Sequence, residues 1–135
     1  MITAIDTNVL LDIFEPGTPC EAASERAVAD AAGDGTVIIS EVVYAETVAA
    51  FTDDRALLDE LLTDLGIEVV GLGRDAAYAA GLIFASYRKL GGPRHHILAD
   101  FLIAAHASQH ADRLLTRDRG FYRTHFPDLR LMAPA

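Results

Sequence analysis

The chain has 135 residues, 51% of them apolar and 23% charged, a balance that suits one compact domain and excludes a disordered tail. Twenty acids against eleven basic residues give a formal charge of −9, which excludes a polybasic coat for nucleic acid. The lone Cys20 excludes an internal disulfide and a multi-cysteine zinc site, and no apolar run approaches the roughly 18 residues of a membrane span. Met1 to Leu10 lacks the basic start of a secretory signal, so the expectation is a cytoplasmic α/β or α domain occupying residues 1–135.

Short apolar runs alternate with helical patterns along the chain. Ile2 to Ile5 reads as a strand and Thr7 to Phe14 as a short helix, ended by Glu15-Pro16-Gly17. Thr18-Pro19-Cys20-Glu21 has the form of a capping box and opens a helix to about Ala32, broken by Gly33-Asp34-Gly35. Thr36 to Ile39 is a second strand; Ser40 caps a helix through about Phe51, and Asp53 or Asp54 starts another that ends before Gly66. Ile67 to Val70 is a third strand, followed by a helix from Arg74 to Leu90 that Gly91-Gly92-Pro93 stops. A helix over Ile97 to His110, a strand at Arg113 to Leu115, a helical turn near Gly120 to His125 and a last strand at Leu129 to Met132 complete the order. Short, continuously apolar strands separated by helices predict an α/β fold with a parallel sheet covered on both faces.

Ligands of such sheets sit at the carboxyl ends of the strands. Asp6 directly follows the first strand, and Asp118 follows the fourth in Leu115-Thr116-Arg117-Asp118. Glu46 has Val42, Val43, Ala49 and Ala50 at three- and four-residue offsets, which places it within an apolar helix face. Asp100 lies in a helix apolar almost all round, Ile97 to Ala105. No Lys or Arg stands at helical spacing to neutralise Glu46 or Asp100, and burying an unpaired carboxylate costs several kcal/mol or forces protonation. Four converging carboxylates repel one another unless a divalent cation joins them, and hard oxygen ligands select Mg²⁺ or Mn²⁺ over zinc. Taken singly, Asp6 and Asp118 also read as helix N-caps, with Glu46 and Asp100 turned to solvent.

Four segments carry a resemblance: Ile5-Asp6-Thr7-Asn8-Val9-Leu10, Ser40-Glu41-Val42-Val43-Tyr44-Ala45-Glu46, Asp100-Phe101-Leu102-Ile103-Ala104-Ala105-His106-Ala107, and Leu115-Thr116-Arg117-Asp118-Arg119-Gly120-Phe121. Their order and spacing, over nearly the whole chain, resemble PIN-domain ribonucleases, most closely the VapC-type toxins of bacterial toxin–antitoxin pairs. The resemblance implies a PIN-like α/β/α sandwich with a five-stranded parallel sheet and metal-dependent RNA cleavage leaving a 5′-phosphate and a 3′-hydroxyl. It implies Asp6, Glu46, Asp100 and Asp118 as the catalytic, metal-holding acids, with Thr7 or Asn8 and Thr116 in support. Some relatives carry another acid two residues after the position of Asp118; here Gly120 stands there, which leaves one metal or two open. The resemblance also implies a cognate antitoxin and a homodimer, and the apolar helices at about 19–32 and 53–65 offer a groove for the antitoxin.

The charge is unevenly placed, with −13 over residues 1–87 and +4 over 88–135, which also hold all five histidines. Because carboxylates repel phosphate, RNA has to be held by a basic rim, and Arg94, Arg117 and Arg119 are the candidates nearest the proposed acids, with Arg88, Lys89 and Arg123 further off. His106 and His110 have metal-like spacing, but the Glu of H-E-x-x-H is missing, so packing is the better reading. His95-His96 reads as a loop or helix start, and Tyr78, Phe84 and Tyr87 at helical spacing read as core. Gly71-Leu72-Gly73-Arg74-Asp75-Ala76 fits the dinucleotide pattern G-x-G-x-x-A, yet no acid stands at a strand end roughly 20 residues on. A Mg²⁺-dependent phosphatase lacks its D-x-D pair here, and a catalytically silent binding domain would have no need of all four acids.

Overall fold

A computed structural model describes residues 1–91 and 97–135. Its elements run β1 (Ile2–Ile5), α1 (Thr7–Phe14), α2 (Glu21–Asp34), β2 (Thr36–Ile39), α3 (Glu41–Ala50), α4 (Arg55–Asp64) and β3 (Ile67–Val69). After these come α5 (Arg74–Lys89), α6 (Leu98–His110), β4 (Arg113–Leu115), α7 (Arg119–His125) and β5 (Leu131–Met132). All sheet pairings are parallel and the strand order is β3-β2-β1-β4-β5. The chain therefore builds outward from β1 to one edge, then returns and builds to the other. The reversal lies between β1 and β4, and such a switch point leaves a crevice beyond the strand ends.

The inner strands β1, β2 and β4 are mostly apolar because helices cover both faces of the sheet. Ala4, Ile5, Val37, Ile38, Ile39, Leu114 and Leu115 are all buried. Helix α6 is buried on most sides, as its composition predicts, with Phe101, Ile103, Ala104, Ala105, His106 and Ala107 inside. The small residues Ala76, Ala80 and Ala104 are fully buried, which suits close approach of neighbouring helices. Phe101 anchors an aromatic cluster, with ring centroids 5.2 Å from Tyr87, 5.2 Å from Phe121 and 5.1 Å from Phe84. Burying a ring of that size contributes about 3 kcal/mol. The cluster joins α5, α6 and α7, and so fixes the helices that carry Asp100 and Tyr122.

Side-chain caps open α1, α3 and α4. Ser40 Oγ accepts from Val43 N at 3.2 Å, and an Asp54 carboxylate oxygen accepts from Leu57 N at 3.1 Å, so Asp54 rather than Asp53 opens α4. The expected capping box at Thr18 does not form. Thr18 Oγ1 donates to the Asp12 carbonyl, Glu21 reaches back to Gly17 N at 2.8 Å, and the helix begins at Glu21 instead of Pro19. Helix α2 also runs through Gly33 to Asp34 and stops at Gly35, where φ is 154°. A Cβ on Gly35 would lie 2.0 Å from the Met1 carbonyl oxygen, so only glycine lets β1 begin there. Strand β5 is shorter than expected, since Leu129 N is bonded to the Phe126 carbonyl in a turn. Among the described residues no helix is long and apolar enough to cross a membrane.

Candidate active site

The parallel register sets Ile5 beside Leu115, which makes Asp6 and Thr116 neighbours just beyond the ends of β1 and β4. Asp6 N donates to the Leu115 carbonyl at 2.9 Å, and Thr116 Oγ1 donates to Asp6 Oδ2 at 2.7 Å. Three further donors converge on the same carboxylate. Thr7 N reaches Oδ1 at 2.7 Å, while Asn8 Nδ2 and the Tyr122 hydroxyl reach Oδ2 at 3.4 and 3.1 Å. Asp6 is thus the N-cap of α1 and, at 6% exposure, a buried carboxylate as well.

The other predicted acids approach from different elements. Glu46, half-buried on α3, accepts from Thr7 Oγ1 at 2.6 Å, which ties α3 to the start of α1. Asp100 occupies the first turn of α6 and accepts from Ile97 N at 3.1 Å. Asp118 precedes α7 and is exposed, with its amide donating to Thr116 Oγ1 at 3.0 Å. Thr116 therefore links Asp6 to Asp118 through one hydroxyl, which accepts from one residue and donates to the other.

Electrostatics shows which acids share a field. Burial pushes Asp6 up from the ordinary 3.8 to about 6, against the lowering effect of the bonds from Thr116, Tyr122 and Thr7, with the Asp100 charge adding to the rise. Burial first, then the charges of Asp6 and Asp100, the hydrogen bond to Asp6 and the charge of Asp118, push the Tyr122 phenol upward. Asp6, Asp100 and Asp118 thus act on one buried hydroxyl. Sequence reasoning missed Tyr122, although it stands four residues after Asp118, one helical turn along the same face.

Among the described residues no three His, Cys, Asp or Glu side chains form a ready-made ligand group. The donor set nonetheless fits a hard divalent cation in kind. It is all oxygen, and Asp6 is buried among four hydrogen-bond donors and further negative charge, with no Lys or Arg among the described residues bonded to it.

Several other expectations resolve differently. The sequence puts Arg117 on the basic rim, but its guanidinium turns back into the protein. Its Nε donates to Asp12 Oδ2 at 2.8 Å and its Nη2 to Asp12 Oδ1 at 3.0 Å. Arg119 and Arg123 are exposed on α7, while Arg94 and the His95-His96 pair lie outside the described residues. His106 and His110 are packing groups, as expected. Their Nε2 atoms bond the Val70 and Leu72 carbonyls, both at 2.8 Å, and burial holds His106 below the ordinary imidazole value. Phe84 and Tyr87 join the aromatic core, but Tyr78 is 70% exposed, contrary to the expectation of core packing. The glycine loop is no phosphate cradle, because the Leu72 amide donates to the Glu41 carboxylate at 2.7 Å, whose charge repels phosphate.

Residues 3–127 match the PIN domain family. The chain belongs to the PIN-domain family. No curated protein matches it significantly. Among solved structures it is similar to VapBC2 from Rickettsia felis, bound to a DNA fragment from their promoter, at 23% identity over 98% of both chains with a TM-score of 0.75. It is similar to VapBC-1 from nontypeable Haemophilus influenzae at 21% identity over 98% of both chains, TM-score 0.72. FitAcB from Neisseria gonorrhoeae is 24% identical over 99% of this chain and 98% of that one, TM-score 0.69. At these identities the likeness establishes the shared fold, an α/β/α PIN arrangement around a five-stranded parallel sheet.

Proposed function

We propose that this PIN domain is a metal-dependent ribonuclease and the toxin of a toxin–antitoxin pair, acting in the cytoplasm. The observation that carries the reading is the buried Asp6 at the switch point, raised by burial and sharing its field with Asp100 and Asp118. Family membership and fold likeness to VapBC and FitAcB support it.

In this reading Asp6, Glu46, Asp100 and Asp118 hold Mg²⁺, or Mn²⁺ in its place. The bound cation supplies activation of a water and neutralises charge developing on the scissile phosphate and leaving oxygen. The chain's own residues orient the ligands. Thr116, Asn8 and Tyr122 fix Asp6 Oδ2, and Thr7 fixes Glu46. Exposed Arg119 and Arg123, four apart on α7, contact RNA phosphates without reading sequence. The products carry a 5′-phosphate and a 3′-hydroxyl. A cognate antitoxin and a second copy of the chain are the proposed protein partners, the first blocking a nuclease otherwise harmful to its own cell.

The test induces wild type and Asp6→Asn side by side and maps new 5′-phosphate RNA ends. Discrete new ends with wild type alone, and growth arrest relieved by co-expressing the antitoxin, are expected. Identical RNA ends from both proteins would overturn the reading.

A further inference from the structure

Asp12 takes no part in the proposed chemistry, yet its carboxylate fastens two other segments to α1. It lies on α1, one turn beyond Asn8, and is 5% exposed. Ser24 Oγ from α2 donates to its Oδ2 at 2.7 Å, and the Arg117 fork closes on both of its oxygens. Beside this junction, Asn8 Oδ1 accepts from the Arg117 amide at 3.3 Å while Asn8 Nδ2 reaches Asp6. The loop between β4 and α7 is thus held to α1 by a side chain and by its backbone.

A bidentate guanidinium–carboxylate pair fixes orientation as well as distance, because the planar fork admits one alignment. The Asp12 side chain is 6% exposed and that of Arg117 42%, so the pair is anchored from its buried end. Among the described residues no ion pair anchors the side chain of Asp118, the next residue. It is exposed and its side chain makes no capping bond to α7. Its placement depends on its amide bond to Thr116 and on where Arg117 is pinned.

We infer that Arg117 is a positioning residue and Asp12 its anchor, together locking the β4–α7 loop so that Asp118 stays with Asp6 and Asp100 around Tyr122. The consequence for cleavage rests on the nuclease reading; the lock itself does not. Amide hydrogen exchange on the full chain reads the lock directly, in Asp12→Asn, Arg117→Lys, Arg117→Ala and the neutral double variant Asp12→Asn/Arg117→Met. Exchange at Thr116 and Asp118 is expected to accelerate about tenfold or more in each single variant, with β1 and β2 unchanged. The Asp12→Asn/Arg117→Met pair should exchange no faster than the single variants, since each breaks the same interaction. Cleavage should lose kcat with KM little changed.

Salt dependence separates a lock from a phosphate grip. RNA binding by Asp12→Asn/Arg117→Met should keep the slope of Asp12→Asn, whereas a lost phosphate contact lowers it by roughly one. Unchanged exchange at residues 116–118, or a slope lowered by that amount, overturns the inference. If Arg117→Ala fails to fold with Asp12 left buried and unpaired, the neutral double variant still decides. If wild type cleaves no RNA, the nuclease reading fails and exchange alone judges the lock.

Discussion

Replacing Asp6 by Asn is expected to stabilise the cation-free protein above neutral pH while abolishing the proposed cleavage. Burial pushes Asp6 from 3.8 up to about 6. Between these values the folded protein holds a proton that the unfolded chain has already released, so stability falls as pH rises through the window and levels off above it. The span corresponds to about 3 kcal/mol of destabilisation at about pH 8. Asn carries no such penalty. Its amide nitrogen must, however, replace one accepting oxygen, and keeping Oδ1 toward Thr116 and Tyr122 sacrifices the bond from Thr7 N, a loss of about 1 kcal/mol. The net gain is about 2 kcal/mol at about pH 8, a rise in Tm of roughly 6–10 °C; it vanishes at about pH 4.5 and turns into a small loss below that. Urea denaturation in EDTA across this range measures it. Parallel stability curves for the two proteins between about pH 4 and pH 8 would refute the assignment of Asp6 as a carboxylate ionised at a cost.

Glu46→Gln, Asp100→Asn and Asp118→Asn should each cut Mg²⁺-dependent cleavage by about a hundredfold or more with the fold intact by circular dichroism; near-wild-type rates in two of them contradict the shared site. Saturating Mg²⁺ or Mn²⁺ at about 100 times the Kd should stabilise wild type by about 2.7 kcal/mol in thermal melts, and the gain should disappear in Asp6→Asn/Asp100→Asn. Arg119→Ala and Arg123→Ala should each lower the salt slope of RNA binding by roughly one, measured with Ca²⁺ in the Asp6→Asn background; an unchanged slope in the double variant moves the RNA grip elsewhere. Gly35→Ala should cost about 3 kcal/mol or more in chemical denaturation, because its Cβ would meet the Met1 backbone 2.0 Å away; a loss below about 1 kcal/mol would show that β1 can shift.

Element order, the parallel sheet and the position of Asp6 and Asp118 just beyond strand ends were legible in the amino-acid sequence because each rests on a local signal. Continuous apolar runs mark doubly covered strands, Ser40 and Asp54 mark helix starts, and Asp6 and Asp118 follow strands directly. Thr18 misled because a capping sequence describes which bonds are available, while the carbonyl of Asp12, presented by the packing of α1, offered the hydroxyl a different partner. Arg117 misled for a related reason. A cation next to a proposed catalytic acid reads as a phosphate contact until the fold shows what faces it, and what faces it is a carboxylate 105 residues away in the chain. Tyr122 carried no sequence signal stronger than its helical spacing from Asp118, and its bond to Asp6 spans 116 residues. Local chemistry follows from neighbours in the chain, but hydrogen-bond partners of side chains are chosen by register and helix packing. The order β3-β2-β1-β4-β5 alone makes Asp6 and Thr116 neighbours, and the aromatic contacts of Phe101 bring Asp100 and Tyr122 to the same side of them.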